Sequence, residues 1–185
     1  MTILPREFYS KDTVTVARNL LGKKIIRKIG RYEISGIITE TEAYRHRDDP
    51  ASHAFRKITD RNKIMFEEVG SAYVYFTYGM YFCFNVVARS PKKAAGAVLI
   101  RAIEPEKGVN IMQENRGKAG LKNLTNGPAK LAQALAITKE DYGVDLTKKS
   151  KLYITEGING KKITSSPRIG ISKAVDKLWN FKIEI

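Results

Sequence analysis

One extended segment constrains the fold of this chain more than any other. From Ser35 to Tyr44 the sequence reads SGIITETEAY, and a β-branched run that follows a glycine favours a strand over a helix. Because side chains alternate across a strand, every second residue is predicted to share one face: Ile38, Glu40, Glu42 and Tyr44. A carboxylate on a covered face needs hydrogen-bond partners or water. The two glutamates therefore indicate either an exposed strand face or a functional site.

The flanking segments predict one domain that mixes helices and strands. Amphipathic or capped stretches predict helices at residues 13–21, 59–66 and 109–116, a helical turn at 51–55, and a helix from Pro128. Stretches rich in β-branched or aromatic residues predict strands at 24–28, 72–87, 96–105, 167–171 and 178–183. Gly79 divides the aromatic run into two arms, with Tyr78 and Met80 at the tip. No repeat or linker interrupts the chain, which indicates a single domain over residues 1–185.

The chain is strongly basic. Its 33 Lys and Arg residues against 19 Asp and Glu give a formal net charge of +14, which favours a polyanionic partner: nucleic acid, an acidic membrane surface or an acidic protein. A generally lysine-rich proteome would give the same excess without such a partner. The one cysteine, Cys83, excludes an intrachain disulfide, and its place between Phe82 and Phe84 predicts a buried side chain.

Several familiar kinds of site are missing from the sequence. There is no phosphate-binding P-loop, no dinucleotide fingerprint and no Gly-x-Ser-x-Gly elbow. One cysteine and two histidines cannot form a familiar structural zinc set. No apolar run reaches membrane-spanning length, and the first residues lack the apolar core of a secretory signal. We therefore expect a protein of a reducing compartment without a membrane span, and a carboxylate-rich metal site is left open at this point.

The remaining polar and aromatic residues suit hydrolysis by an activated water, with aromatic rings holding a planar substrate. Tyr73, Tyr75 and Tyr78 each carry a hydroxyl that needs a partner if it is buried, although packing in a core would explain the aromatic run as well. Arg101 lies in an otherwise apolar strand, so its guanidinium must emerge at an edge or meet an acid such as Glu40.

Five motifs in register carry a family resemblance. They are ETEAY at residues 40–44, ASH at 51–53, YVYFTYGM at 73–80 with Asn85, LIRAIEP at 99–105 and NGPAKL at 126–131. In this order they resemble the 3-methyladenine (alkyladenine) DNA glycosylase family. The likeness extends from about residue 17 to residue 146 and weakens towards the C-terminus, so it assigns no role to residues 147–185.

The resemblance implies both a fold and a reaction. The fold would be α/β (α+β), a compact single domain with a curved, mostly antiparallel sheet flanked by helices. The enzyme would hydrolyse the N-glycosidic bond of alkylated or deaminated purines in double-stranded DNA, by base flipping and an activated water, in base excision repair. It would need no cofactor or metal and would act as a monomer in the cytoplasm, associated with the nucleoid if the source is bacterial. Base release without strand cleavage is expected, because nothing indicates a lysine nucleophile.

The resemblance also implies roles for residues of the pocket. Glu42 matches the general base that activates water against the C1′ carbon of the deoxyribose, and Arg101 matches an arginine near that water. Four residues match those that contact the flipped base: Tyr44, His53, Tyr75 and Asn85. This interpretation requires the carboxyl group of Glu42 to face the slot formed by these side chains, not to lie sealed in the interior.

A second set of matched residues concerns DNA. Tyr78 matches the side chain that enters the minor groove and fills the space left by the base, with Met80 beside it. Three basic residues are expected to bind DNA: Arg61, Arg116 and Lys130.

Departures and alternatives remain. Residues 45–47 replace a usual Gly- and Pro-containing link, and Asp60 and Val69 stand where prolines are common, which puts the loop conformations in doubt. A non-catalytic damage sensor and a basic RNA-binding module are the rival functions. Individually, His53 could only pack, Arg101 could only pair with Glu40, and Met80 could belong to the core.

Overall fold

The sheet is built around one long strand. The computed structural model describes residues 2–185. Within this range the strands are β1 (Lys24–Ile29), β2 (Tyr32–Arg45), β3 (Ala72–Thr77), β4 (Tyr81–Val87), β5 (Gly96–Lys107), β6 (Leu152–Thr155), β7 (Thr164–Ser166) and β8 (Asn180–Lys182). The helices are α1 (Arg6–Tyr9), α2 (Thr13–Leu20), α3 (Val109–Asn115) and α4 (Pro128–Ala134). Short 3₁₀ turns occur at Lys63–Phe66, Leu121–Asn123 and Lys139–Asp141.

The central strand β2 has neighbours along both of its edges. The order of the main sheet is β3-β4-β5-β2-β1-β6, and every pairing is antiparallel. One edge of β2 pairs with β5 over nearly its whole length. The other edge pairs first with β1 and then, at Glu40–Glu42, with β8. The predicted fold class is confirmed, and the C-terminal strand completes the sheet beside the two glutamates.

A bulge in β2 corrects one prediction. The register against β5 shifts between Ile38 and Glu40 and again between Glu40 and Thr41. Ile38 lies in the hydrophobic core together with Ala43, whereas Glu40 joins Glu42 in a polar network. Ile38 therefore does not share the glutamates' environment, because the shift breaks the simple alternation of side chains.

The helices agree with the sequence in part. The carboxylate of Asp12 caps α2 by accepting a hydrogen bond from the N–H of Val14 at 3.0 Å, and α4 begins at Pro128 as predicted. Only a 3₁₀ turn at Lys63–Phe66 forms within the predicted helix 59–66. Side-chain oxygens take the backbone N–H groups there, since Asn62 Oδ1 accepts from the N–H of Thr59 at 2.7 Å.

Two further segments differ from prediction. Residues 51–55 form turns without a helix, and the carboxylate of Asp49 accepts the N–H of Ala51 at 3.3 Å. Residues 167–171 form a loop instead of a strand, because the N–H of Ile169 donates to the carboxylate of Glu42 at 2.7 Å and not to a neighbouring strand. Every helix in the described residues is too short or too polar to be a membrane span.

Candidate active site

One cavity collects most of the predicted site residues. It has a volume of about 270 Å³ and opens between β3, β5 and the loop at residues 169–171. Seven of the predicted residues line it: Tyr44, His53, Arg61, Tyr75, Tyr78, Asn85 and Arg101. The buried thiol of Cys83, packed as the sequence predicted, lies in the same wall.

An aromatic wall forms one side of the cavity. Nδ1 of His53 lies 2.9 Å from the hydroxyl of Tyr73, and the His53 ring meets the Tyr75 ring edge-on with centroids 4.8 Å apart. The guanidinium of Arg61 stands 4.6 Å from the centroid of Tyr75. His53 is thus held in an aromatic cluster at the cavity, where packing and substrate contact are compatible. The sequence analysis had not identified Tyr73 as the partner of His53.

Burial sets the protonation of this wall. Burial first, and then the positive charge of Arg61, together lower the pKa of His53 from 6.5 to about 4. Burial also raises the pKa of Tyr75 above its usual value. The wall is therefore neutral near pH 7, apart from the guanidinium of Arg61 at its edge.

The amide of Asn85 is fixed by the sheet. Asn85 pairs with Tyr73 across β3 and β4, and its Nδ2 donates to the backbone carbonyl of Tyr73 at 3.0 Å. The side chain is buried but lines the cavity. An amide held in this way presents a constant shape and polarity to a bound base.

The hairpin between β3 and β4 carries two exposed side chains at its tip. Tyr78 is 87% exposed and Met80 is 63% exposed, so Met80 is not a core residue. Tyr78 and Gly79 adopt positive φ values of 51° and 68°, and the N–H of Met80 donates to the carbonyl of Thr77 at 3.2 Å. A non-glycine residue with this φ costs about 1 kcal/mol. Backbone strain of this kind clusters at functional sites.

Glu42 lies directly behind the cavity with both carboxylate oxygens occupied. Oε2 accepts from the hydroxyl of Tyr44 at 2.8 Å and from Arg101 at 3.4 Å. Oε1 accepts from the N–H of Ile169 at 2.7 Å and from Nδ2 of Asn180 at 3.0 Å. The residue has no exposed surface and does not line the cavity itself. The expectation of an open carboxylate is therefore wrong: Glu42 points at Tyr44, as required, but its carboxylate is covered, so water can reach Oε2 only if Tyr44 or Arg101 moves aside.

A second carboxylate accompanies Glu42. Glu40 Oε1 accepts from Nε of Arg101 at 3.0 Å and from Nδ2 of Asn180 at 2.7 Å, and the ammonium group of Lys182 lies 3.4 Å away. Arg101 thus meets both acids, not Glu40 alone. Two anions and two cations balance in this cluster, which is how nearly buried charges are accommodated.

The C-terminal loop, residues 167–171, contributes Arg168, to which the sequence assigned no role. Arg168 forms a fully buried, two-pronged ion pair with Asp49, with both nitrogen–oxygen distances 2.6 Å. Its guanidinium stands 4.6 Å from the ring centroid of Tyr44 and 5.2 Å from that of Trp179. The signal in the sequence was an arginine inside an apolar stretch, the same signal that drew attention to Arg101.

Two of the three basic residues predicted to bind DNA, Arg116 and Lys130, lie outside the cavity. Arg116 ends α3 and donates to the side chain of Gln133. Lys130 on α4 contacts the side-chain oxygen of Asn126 at 2.8 Å, two residues after Pro128, which lines the cavity. Lys130 is therefore near the cavity and Arg116 is not brought to it. Among residues 2–185, no His, Cys, Asp and Glu side chains form a group of three or more that could hold a metal ion.

Comparison with known proteins gives a consistent result. The family model described as methylpurine-DNA glycosylase (MPG) matches residues 7–185. A protein of Carboxydothermus hydrogenoformans is 46% identical over 184 residues, which cover 98% of this chain and 95% of that protein. A protein of Methanocella arvoryzae is 43% identical over 185 residues, covering 98% and 92%. Both carry the provisional name 3-methyladenine DNA glycosylase.

Proposed function

The chain belongs to the methylpurine-DNA glycosylase family, whose members hydrolyse the N-glycosidic bond of a methylated purine in DNA, and we propose that it does so by flipping the purine into the cavity and activating a water with Glu42. The observation that carries the proposal is the 2.8 Å hydrogen bond from the cavity-lining Tyr44 to Oε2 of Glu42. Only the hydroxyl group of Tyr44 then separates the carboxylate of Glu42 from the space in which a purine would lie.

Base flipping is supported by the shape and chemistry of the cavity. A flipped purine would lie against the rings of Tyr44, His53 and Tyr75. These contacts would offset the free energy of lost stacking in the duplex, which is a few kcal/mol. Tyr78 would enter the space that the base leaves, as an apolar wedge at the cavity mouth. Damaged or poorly paired purines are the easiest to extrude.

The chemical step follows from the position of Oε2. The oxygen of a water attacks C1′ of the deoxyribose, the bond from C1′ to the purine nitrogen breaks, and the bonding electrons leave with the purine. The proton that the water loses passes to Glu42. Because Oε2 already accepts two hydrogen bonds, the hydroxyl of Tyr44 or the guanidinium of Arg101 must give way when the water binds.

The products and range of substrates follow from the lining. Among the described residues that line the cavity none is lysine, so we expect free purine and an intact strand with an abasic site. The fixed amide of Asn85 would disfavour the exocyclic amine of guanine, which leaves deaminated adenine (hypoxanthine) as a second substrate class. Every side chain in this scheme comes from one chain, so a monomer acting on duplex DNA would suffice.

An excision assay on duplexes that each carry one lesion tests the proposal. The lesions are 3-methyladenine, 7-methylguanine, hypoxanthine and ethenoadenine, and free base and alkali-labile sites are quantified. We expect free base, and strand breaks only after alkali treatment, with none from Glu42→Gln. Binding to damaged duplex without base release would instead support a damage sensor, and preference for single-stranded RNA would support an RNA-binding module.

A further inference from the structure

The two oxygens of the Glu42 carboxylate face different surroundings. Oε2 is bonded by Tyr44 and Arg101, both of which line the cavity. Oε1 is bonded by Ile169, which also lines the cavity, and by Asn180, which does not.

From this asymmetry we infer that Oε2 of Glu42 is the oxygen that takes up the proton of the water, and that Asn180 and Glu40 are positioning residues: Asn180 holds Oε1, and Glu40 shares Arg101 with Glu42. The inference rests on the proposed role of Glu42. It concerns side chains that neither contact the base nor line the cavity.

The register of the sheet places Asn180 for this task. Asn180 pairs directly with Glu42 across β2 and β8, and Lys182 pairs with Glu40, so their side chains meet on one face. Both hydrogens of Nδ2 are used, one on Glu42 at 3.0 Å and one on Glu40 at 2.7 Å. The opposite amide orientation would set Oδ1 against two carboxylates, which is unfavourable. The side chain is 1% exposed, so water does not replace these bonds.

Glu40 acts on Oε2 of Glu42 through Arg101. The Nε of Arg101 is 3.0 Å from Glu40, whereas its NH1 is 3.4 Å from Glu42, so the shorter contact goes to the acid that does no chemistry. A guanidinium given wholly to Glu42 would stabilise the anion and make Oε2 a weaker base. By taking the shorter contact with Arg101, Glu40 thus leaves Oε2 of Glu42 the stronger base.

The charged and titratable groups around Glu42 come from four elements. They are Glu40 and Tyr44 on β2, Arg101 on β5, Lys182 on β8 and Arg168 in the C-terminal loop. Variants at positions 40 and 180 change the charge of this set in opposite directions while leaving the other groups in place. Opposite shifts of a pH profile are a result that damage to the fold would not produce.

The test is the single-turnover rate of release of radiolabelled 3-methyladenine from methylated duplex DNA, measured as a function of pH after subtraction of spontaneous release. Glu40→Gln removes a negative charge and should move the acid limb of the profile to lower pH. Asn180→Asp adds one and should move it to higher pH, each by on the order of one pH unit. Asn115→Asp is the matched control, because Asn115 is a partly buried amide donor in α3, bonded to the carbonyl of Ala134, and should not shift the limb.

Asn180→Ala provides a second test in case the Asn180→Asp variant does not fold. It should lower the single-turnover rate by roughly 10²-fold and leave the affinity for a duplex with a tetrahydrofuran abasic analogue unchanged. The inference is overturned if Asn180→Ala has the wild-type rate, or if the acid limb stays fixed or moves the same way in both charge variants. Glu42→Gln separates the two proposals. Activity retained in Glu42→Gln refutes the role of Glu42. Activity lost in Glu42→Gln, together with unshifted acid limbs in Glu40→Gln and Asn180→Asp, refutes only the positioning roles.

Discussion

At the scale of single residues, His53 is a neutral imidazole packed in the aromatic wall of the cavity. Burial is the main cause of its low pKa, and the guanidinium of Arg61 adds to it. Protonation would place a second cation next to Arg61 against the same tyrosine ring. His53 is therefore neutral near pH 7 and gains a proton only near pH 4.

The titration of His53 can be followed by NMR. The imidazole resonances should show a midpoint below about pH 5, well under the ordinary value near 6.5. Arg61→Ala should raise that midpoint, because a positive charge that opposes protonation is removed. His46, the other histidine, gives a reference signal in the same spectra. A His53 midpoint near 6.5 in the wild-type protein would contradict this description of the wall.

Tyr78 is exposed in a strained turn, so the wedge role proposed for it predicts an effect on DNA binding and none on the fold. Tyr78→Ala should weaken binding to a lesion-containing duplex by about tenfold or more, since stacking on a base contributes roughly 1–3 kcal/mol. The melting temperature should stay unchanged because little surface of the ring is buried. Tyr32→Ala, at another exposed tyrosine in the β1–β2 hairpin, is the control. Equal effects of the two variants on affinity would argue against a wedge.

At the scale of elements, the C-terminal loop joins the β2 end of the site to the rest of the domain. The buried ion pair between Arg168 and Asp49 ties residues 167–171 to the loop after β2. Arg168 also donates to the carbonyl of Ala43 at 2.8 Å and stands over the ring of Tyr44. The loop therefore supports the ring on which the base would stack and delivers the N–H of Ile169 to Glu42.

Arg168→Leu should destabilise the protein strongly. The buried carboxylate of Asp49 would lose its counter-ion, and breaking such a pair costs about 3–5 kcal/mol of unfolding free energy, measurable by urea denaturation. The double variant Arg168→Leu/Asp49→Leu should recover much of this stability, yet excision should stay impaired because Tyr44 loses its support. Recovery of both properties in the double variant would show that the ion pair serves stability alone.

The elements also show what the sequence could and could not predict. Local patterns were enough for α2, the two hairpins and α4, since capping, turn and alternation signals lie within a few residues of one another. The bulge in β2 was missed because it depends on register with β5. The loop at 167–171 was mistaken for a strand because its conformation is fixed by Asp49 and Glu42, more than 100 residues away in the chain.

The candidate site divides in the same way. The family resemblance supplied the residues of the cavity, but Asn180 and Arg168 lie beyond the part of the chain where the likeness was clear. Their importance comes from strand pairing and burial. The covered state of Glu42 could not be read from the sequence either, because it follows from Ile169 and Tyr44 closing over the carboxylate.

At the scale of the whole molecule, the division of β2 explains how a small domain holds a buried acid near DNA. The first half of the strand pairs with β1, and the second half is flanked by β5 and β8, which supply Arg101 and Asn180. The net charge of +14 provides attraction to the phosphate backbone that does not depend on sequence. In the proposed function, affinity for DNA therefore depends on the charge of the whole molecule, whereas the chemistry depends on Glu42.

This separation makes Glu42→Gln the most direct test of the central claim. Glutamine keeps the shape of the side chain but cannot take a proton from water. The dissociation constant for a lesion-containing duplex and the single-turnover rate of purine release are measured on the same preparations. We predict an affinity within about threefold of wild type and a rate lower by at least roughly 10²-fold. A variant that still releases purine at the wild-type rate, or that loses binding and release together, would contradict the account.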